Sequence, residues 1–115
     1  MTNDCIFCKI VAGEIPCKKA YEDDEVLAFY DINPQAPVHV LIIPKARVAH
    51  GVADIDESNS AVAGRCLAVA AKLAKELGLA DGFRVVSNNG PAAGQTVAHL
   101  HFHLLGGRQL MLEMG

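Results

Sequence analysis

The histidine-rich segment near the end of the chain constrains the fold more than any other feature. It reads His99-Leu-His101-Phe-His103-Leu-Leu, so histidines alternate with apolar residues. Side chains alternate between the two faces of a β-strand, and the segment therefore predicts a strand with three imidazoles on one face. Successive imidazoles on that face should lie ~6.5–7 Å apart. The opposite face should pack against a core through Leu100, Phe102 and Leu104.

Other segments predict a small α+β domain with an antiparallel sheet of about five strands. The β-branched run 38–43 ends at Pro44 and is typical of a central strand covered on both faces. Apolar residues at three- and four-residue spacing predict one long helix over about 56–77. We expect Asp56 or Ser58 to cap its start and Gly78 to end it. The remaining predicted elements are a short helix within 5–13, a hairpin over 19–30, and strands at 83–88 and 97–105.

Length and charge limit the organisation and the partners of the chain. Its 115 residues suit one domain, and we treat 1–115 as a single unit. A net charge of −3 gives no basic face for nucleic acid or an anionic membrane. No apolar run reaches the ~20 residues of a membrane span, and the first residues lack the basic region of an export signal. We therefore expect a cytoplasmic protein whose four cysteines are not paired in disulfides.

The imidazole face has three interpretations. It could be an ordinary polar strand face, but a further histidine, His39, occupies a similar place on the 38–43 strand. It could be a metal strip, although strong sites usually add carboxylate or thiolate ligands. It could be a phosphate-transfer site in which one imidazole is the nucleophile and the others orient it and hold oxygens.

The loop before the histidines favours the third interpretation. It reads Asn88-Asn-Gly-Pro-Ala-Ala-Gly-Gln-Thr96, and its small residues would let backbone N–H groups approach an anion. Neutral donors are available on Asn88, Gln95 and Thr96. Glycine and asparagine are also the usual residues of an ordinary turn, so the loop gains its meaning from its place beside the histidines.

Taken together, these segments resemble the histidine triad (HIT) family, whose signature is His-x-His-x-His-x-x with apolar residues at x. Three further motifs occur in the family's order: Cys5-Ile-Phe-Cys-Lys-Ile, Asp31-Ile-Asn-Pro-Gln-Ala-Pro and His39-Val-Leu-Ile-Ile-Pro-Lys. The Pro-Gln-Ala-Pro segment and the Gly-Gly-Arg-Gln segment at 106–109 resemble the Hint branch, the purine nucleoside phosphoramidases. They are less similar to the Fhit-like diadenosine polyphosphate hydrolases.

The resemblance implies a HIT-like fold whose sheet continues across a homodimer. It also implies purine nucleotide substrates, a covalent nucleotidyl-histidine intermediate, release of AMP or GMP, and no cofactor required for catalysis. Two alternatives stay open. One is a dinucleoside polyphosphate hydrolase, and the other is a nucleotide- or zinc-binding regulatory dimer with little catalysis.

Site roles carried over from the family fall on matching positions of this sequence. His101 resembles the nucleophile. The other catalytic candidates are His99, His103, His39 and Thr96. The nucleotide-binding candidates are Asp31, Ile32, Phe7, Ile10, Asn88, Gly94, Gln95 and Thr96, with His101 and His103.

A structural zinc is a further implication of the resemblance, since some bacterial members bind one through a Cys-x-x-Cys pair and two histidines. Here the candidate ligands are Cys5, Cys8, His50 and His99. Arg47 stands at the position, shortly after the Ile-Pro-Lys strand, where those members have a ligand histidine, so His50 would have to reach in its place. A single Cys-x-x-Cys pair is only half a site, and small buried residues on a short helix are the other interpretation of Cys5 and Cys8.

Overall fold

The computed structural model describes residues 5–114, which form one five-stranded antiparallel sheet with a helix on each face. The strand order is β1-β2-β3-β5-β4, and every neighbouring pair is antiparallel. This confirms the predicted α+β class. The elements are α1 (Ile6–Val11), β1 (Lys19–Glu22), β2 (Val26–Tyr30), β3 (Val38–Pro44), α2 (Ser60–Glu76), β4 (Phe83–Val86) and β5 (Phe102–Gly106).

Strand β3 is the middle strand and is covered on both faces, as its apolar run predicts. One face, with Val40 and Ile42, shares a buried cluster with α2. The other face, with Leu41 and Ile43, packs with Phe7 of α1. Because neighbouring residues of a strand point to opposite faces, a strand that is buried on both sides needs an unbroken apolar run.

Helix α2 begins later than predicted. Ser58 donates both its N–H and its hydroxyl to the Asp56 carboxylate, which closes a turn ahead of the helix. Asn59, and neither Asp56 nor Ser58, is therefore the residue at the N-cap position. Gly78 ends the helix with φ +75°, a conformation that costs glycine little, as predicted. The residues of α2 that are buried are Ala63, Cys66, Val69, Ala70, Leu73 and Ala74.

Strand β5 is shorter than the predicted 97–105 and starts at Phe102. Ahead of it, the chain leaves the ladder and bonds elsewhere. The Leu100 N–H donates to the Ala49 carbonyl (2.9 Å), and the Ser87 hydroxyl donates to the His101 carbonyl (2.7 Å). The alternation nevertheless continues, because Leu100 is buried in the same cluster as Phe102 and Leu104.

In the described part of the chain, none of the helices combines the length and the apolar character that a membrane crossing requires.

Candidate functional site

Four histidine rings gather on the α1 side of the sheet. The ring centroids of His101 and His103 are 5.1 Å apart, and those of His39 and His103 are 5.2 Å apart. The His101–His103 distance is shorter than the predicted repeat of ~6.5–7 Å along one strand, and the two ring planes are inclined by 66°. The Phe7 ring packs edge-on against His101 at 5.0 Å and against His99 at 5.8 Å. Helix α1 thus forms one wall of the imidazole cluster.

Hydrogen bonds to main-chain groups determine which nitrogen of His101 carries the proton. Its Nδ1 lies 2.7 Å from the His99 carbonyl oxygen, which can only accept, so Nδ1 carries the hydrogen. Nε2 therefore has a lone pair. It has no hydrogen-bond partner among the described residues, whose fully buried side-chain nitrogen and oxygen atoms all have one. The lone pair of His101 therefore faces solvent from a ring that is otherwise buried.

The proton on His103 is placed by a chain of two hydrogen bonds that begins at Gln35. The Gln35 main-chain N–H donates to Nδ1 of His39 (3.0 Å), so His39 carries its hydrogen on Nε2. That Nε2–H donates to Nδ1 of His103 (2.9 Å) and has an Asp31 carboxylate oxygen 3.4 Å away. His103 must then carry its own hydrogen on Nε2. The site therefore offers a nucleophilic lone pair on His101 beside a ring whose free nitrogen is a donor.

Burial keeps these rings neutral. It lowers the pKa of His39, His99 and His101, with the Asp31 carboxylate partly opposing the effect at His39 and His101. At His103, burial is the largest cause of the lowered pKa, and the neighbouring His101 and His39 lower it further, to about 4. A neutral imidazole is the nucleophilic form, and these environments hold that form at pH 7.

His99 faces a different set of partners. Its Nε2–H donates to the Pro44 carbonyl at 2.8 Å, which leaves the Nδ1 lone pair directed at two sulfurs. That nitrogen lies 3.2 Å from Sγ of Cys5 and 3.5 Å from Sγ of Cys8. Two thiols and an imidazole whose far nitrogen bonds a carbonyl match the chemistry of a zinc site. Three of the four predicted metal ligands therefore come together and fit the group.

His50, the fourth predicted ligand, is not brought into this group. The His50 side chain is exposed, and its main-chain N–H bonds the Asp54 carboxylate as the chain enters a 3₁₀ turn. Arg47 acts on the Cys8 thiol through its charge. Its Nε donates to the Ala98 carbonyl at 2.8 Å. Burial raises the pKa of the Cys8 thiol to about 11, and the positive charge of Arg47 partly opposes that rise.

A second group of potential ligands, Asp31, His39 and His103, also has its donor atoms close together. It does not fit a metal, because the Gln35 N–H occupies Nδ1 of His39 and so places a hydrogen on the nitrogen that would have to coordinate. The described residues therefore provide one credible metal site and a separate cluster of hydrogen-bonded imidazoles.

The loop between β4 and β5 has positive φ angles at Gly90 and Gly94, on either side of a short 3₁₀ helix, Pro91–Ala93. The Gln95 carboxamide and main-chain N–H are both bonded within the protein, so Gln95 is not the free donor that its sequence position suggests. Thr96 is exposed and has no hydrogen bond to another described residue.

The remaining candidates lie around the cluster with varied exposure. Asp31 is half-buried beside His39, and Ile32 is fully exposed. Ile10 and Asn88 are half-buried. The sequence analysis missed the Gln35 amide, the Pro44 carbonyl and the Ser87 hydroxyl. The two main-chain groups leave no signal in a sequence because every residue has a carbonyl and every residue except proline has an N–H.

The fold and this cluster define a class of protein, the small hydrolases that carry a histidine triad. A family model described as HIT domain matches residues 12–110, and the chain belongs to that family. It is 54% identical over 106 residues to a 14 kDa zinc-binding protein of Zea mays, covering 91% of this chain and 83% of the relative. It is 51% identical over 106 residues to the adenylylsulfatase HINT1 of Arabidopsis thaliana, covering 91% and 72%.

Solved structures agree with this assignment. A HIT family hydrolase from Clostridium thermocellum superposes with a TM-score of 0.93 at 48% identity, with 99% of each chain covered. One from Legionella pneumophila gives 0.93 at 47% identity, with 97% of this chain and 100% of that chain covered. The resemblance seen in the sequence, including the Hint branch, is confirmed, and the chain is a HIT-family hydrolase.

The protonation pattern of the four rings can be measured directly. In protein with ¹⁵N-labelled histidine at pH 7.5, two-bond nitrogen–proton spectra should show His101 protonated on Nδ1 alone. His39, His99 and His103 should be protonated on Nε2 alone, because of the acceptors and donors described above. The exposed His50 serves as an internal reference for a solvated ring. A His103 ring protonated on Nδ1 would contradict the chain of bonds from Gln35.

Stability should fall as the pH is lowered from 7.5 to 5. An unfolded histidine has a pKa of ~6.5, and the folded His103 has one of about 4, so below pH ~6.5 only the unfolded chain takes up that proton. The contribution is fully present above pH ~6.5 and is lost toward pH 4. We expect the free energy of unfolding in urea to fall by on the order of 1–3 kcal/mol over this range.

The His103→Gln variant should show a shallower pH dependence than the wild type. Identical slopes in wild type and His103→Gln would contradict the role of this ring. The carboxylates of Glu22 and Asp23, whose hydrogen bonds and nearby cations hold each pKa at about 2, titrate below the window.

Proposed function

We propose that this hydrolase acts on nucleotides, cleaving adenosine or guanosine phosphoramidates and related nucleoside phosphate derivatives to release AMP or GMP. The observation that carries the proposal is the solvent-facing lone pair of His101 beside the donor nitrogen of His103. The name adenylylsulfatase, carried by one relative, supports adenylyl derivatives as the substrate class. Family membership supports hydrolysis through the triad.

The first chemical step forms a bond between Nε2 of His101 and the α-phosphorus and breaks the bond from phosphorus to the leaving amine. The electron pair goes to the amine nitrogen, which takes a proton from the imidazole cluster or the Thr96 hydroxyl. Nδ1–H of His101 stays bonded to the His99 carbonyl, which stabilises the positive charge that develops on the ring. Nε2–H of His103 and the Thr96 N–H donate to the phosphoryl oxygens.

In the second step, water attacks the same phosphorus, and the bond to His101 Nε2 breaks with its electron pair returning to the ring. The proton lost by water passes to the cluster, and AMP or GMP leaves. The reaction is thereby split into two displacements, and in each of them one reacting group is already held in the site. The nucleoside is held by Asp31 and Ile32, with Phe7 and Ile10 as further walls. The phosphate side of the pocket is formed by Asn88, Gly94, Gln95 and Thr96.

Replacement of the nucleophile gives the sharpest test of this function. His101→Ala should abolish turnover of an adenosine phosphoramidate, yet leave AMP binding within about tenfold, because the pocket stays intact. In wild type quenched during turnover, mass spectrometry should find a nucleotidyl adduct on His101. His50→Ala, which removes an exposed ring outside the cluster, is the matched control and should retain full activity. Equal turnover in wild type and His101→Ala would overturn the proposal.

Relative rates decide between this function and its nearest alternative. Faster cleavage of diadenosine polyphosphates than of AMP–amine substrates would identify a dinucleoside polyphosphate hydrolase. Nucleotide binding without any adduct would identify a binding protein with little catalysis.

We also propose that Cys5, Cys8 and His99 hold a structural zinc. When bound, the ion would supply a cross-link between α1 and the first histidine of the triad, and catalysis would require no cofactor. The support is the donor set, the carbonyl behind His99, and relatives named 14 kDa zinc-binding protein. Arg47 leaves the site with three protein ligands, so a water or another small ligand would complete a tetrahedron.

Zinc content tests this site without recourse to activity. Protein purified with zinc present should retain about one equivalent per chain by plasma mass spectrometry, and Cys8→Ser should retain little. Cys17→Ser removes a thiol outside the group and should match the wild type. Arg47→His, which adds an imidazole in place of a cation, should tighten zinc binding at least about tenfold. Equal zinc in wild type and Cys8→Ser would contradict the site.

We further propose that residues 1–115 form a single HIT domain that works as a cytoplasmic homodimer. Strand β4 lies at one edge of the sheet and exposes Phe83 and Val85, while α2 exposes Leu67. An apolar edge of this kind is normally covered, and a second copy would continue the sheet across it. The net charge of −3 suits single nucleotides rather than nucleic acid or a membrane surface.

A further inference from the structure

Residues 47–53, which follow β3, are hydrogen-bonded to residues 89–100, the loop before the triad and the start of the triad itself; we call this set of bonds the clasp. Four hydrogen bonds join the two segments. The Arg47 Nε donates to Ala98, and the Ala49 carbonyl accepts from Leu100. The His50 carbonyl accepts from the Gln95 carboxamide, and the Ala53 N–H donates to the Asn89 carboxamide oxygen at 2.8 Å. The loop that carries the proposed phosphate site is therefore held from outside by a neighbouring stretch of chain.

Gln95 is the centre of this clasp. Its carboxamide oxygen accepts the Gly90 N–H at 2.7 Å, and its main-chain N–H donates to the Gly90 carbonyl at 3.1 Å. The carboxamide nitrogen donates to the carbonyls of His50 (2.5 Å) and Val97 (3.0 Å). Both hydrogens of the amide group are thus committed inside the protein, and Thr96 is left between two anchored neighbours.

Gly51 provides the space for this arrangement. It is buried in extended backbone, and a Cβ there would lie 2.4 Å from the Asn89 carboxamide oxygen and 3.3 Å from that of Gln95. Since φ is −162°, the backbone itself would accept any residue. The requirement for glycine is one of close approach between the clasping segment and the loop.

We infer that Gln95 and Gly51 are positioning residues for phosphate recognition, with the Gln95 side chain acting through the loop backbone and not by touching the substrate. The clasp closes the loop from Gly90 to Gln95 into a fixed ring and so presents the N–H and hydroxyl of Thr96 toward the phosphate position beside His101. Donors that are ordered before the ligand arrives cost no further reorganisation when it binds. The inference rests on the proposed function for the identity of the anion.

The first test needs no ligand and no catalysis. In Gln95→Ala, the Gly90 amide loses its acceptor, and its hydrogen exchange by NMR should become at least about tenfold faster while amides of β3 and β5 keep their rates. Gln109→Ala is the matched control, because its exposed carboxamide donates only to the Leu110 carbonyl. Unchanged exchange at Gly90 in Gln95→Ala would overturn the inference.

The second test compares AMP with adenosine by calorimetric titration. Gln95→Ala and Gly51→Ala should each weaken AMP binding about tenfold and leave adenosine within about twofold, because adenosine lacks the phosphate. The double variant should lose little more than either single one, since both changes release the same clasp. Gly51→Ala also serves if Gln95→Ala does not fold.

Equal losses for AMP and adenosine would overturn the inference by showing general damage to the pocket. Additive losses in the double variant would overturn it by showing that Gln95 and Gly51 act separately. The proposed function is judged on another measurement, the adduct on His101 of the wild type. A wild type that forms no adduct would refute the covalent mechanism while leaving the exchange and binding results to decide the clasp.

Discussion

The antiparallel pairing of β3 with β5 is the constraint on which the rest of this structure depends. The register sets His39 opposite Leu105 and Leu41 opposite His103. Because side chains two apart share a face, His39 and His103 fall diagonally across the same face and their rings meet. A slip of β5 by one residue against β3 would send His103 into the α2 core and turn Leu104 toward α1. The buried apolar residues on both faces of β3 therefore specify the arrangement of the triad.

Main-chain groups fix the protonation of the histidine rings. Three carbonyls or amides, from His99, Pro44 and Gln35, decide where the protons lie on the rings of His101, His99 and His39. Because the partners are main-chain groups, no additional side chain has to be ordered to make these contacts. They place the lone pair of His101 beside the donor nitrogen of His103 in a buried, neutral environment. The same residue, His99, joins two functions. Its carbonyl accepts a hydrogen bond from His101, the proposed nucleophile, and its ring nitrogen Nδ1 lies against the sulfurs of Cys5 and Cys8.

Much of the fold could be predicted from local patterns. The run 38–43 identifies the central strand because only a doubly covered strand accommodates such continuous apolar character, and Gly78 marks the end of α2. The start of α2 was missed because Asp56, Ser58 and Asn59 are all good capping residues, and a carboxylate that bonds Ser58 closes an earlier turn. The start of β5 was missed because alternation persists in extended chain whether or not a ladder partner is present.

The sequence by itself determined the residue types of the site: three alternating histidines, a fourth on another strand, a pair of cysteines and a glycine-bearing loop. Their alternation is a local property, so it can be deduced from the order of residues. The tertiary structure alone decided that His99 joins Cys5 and Cys8, that His50 does not, and that Gln95 faces inward. Those outcomes depend on contacts between residues up to 94 positions apart and on main-chain atoms that every residue shares.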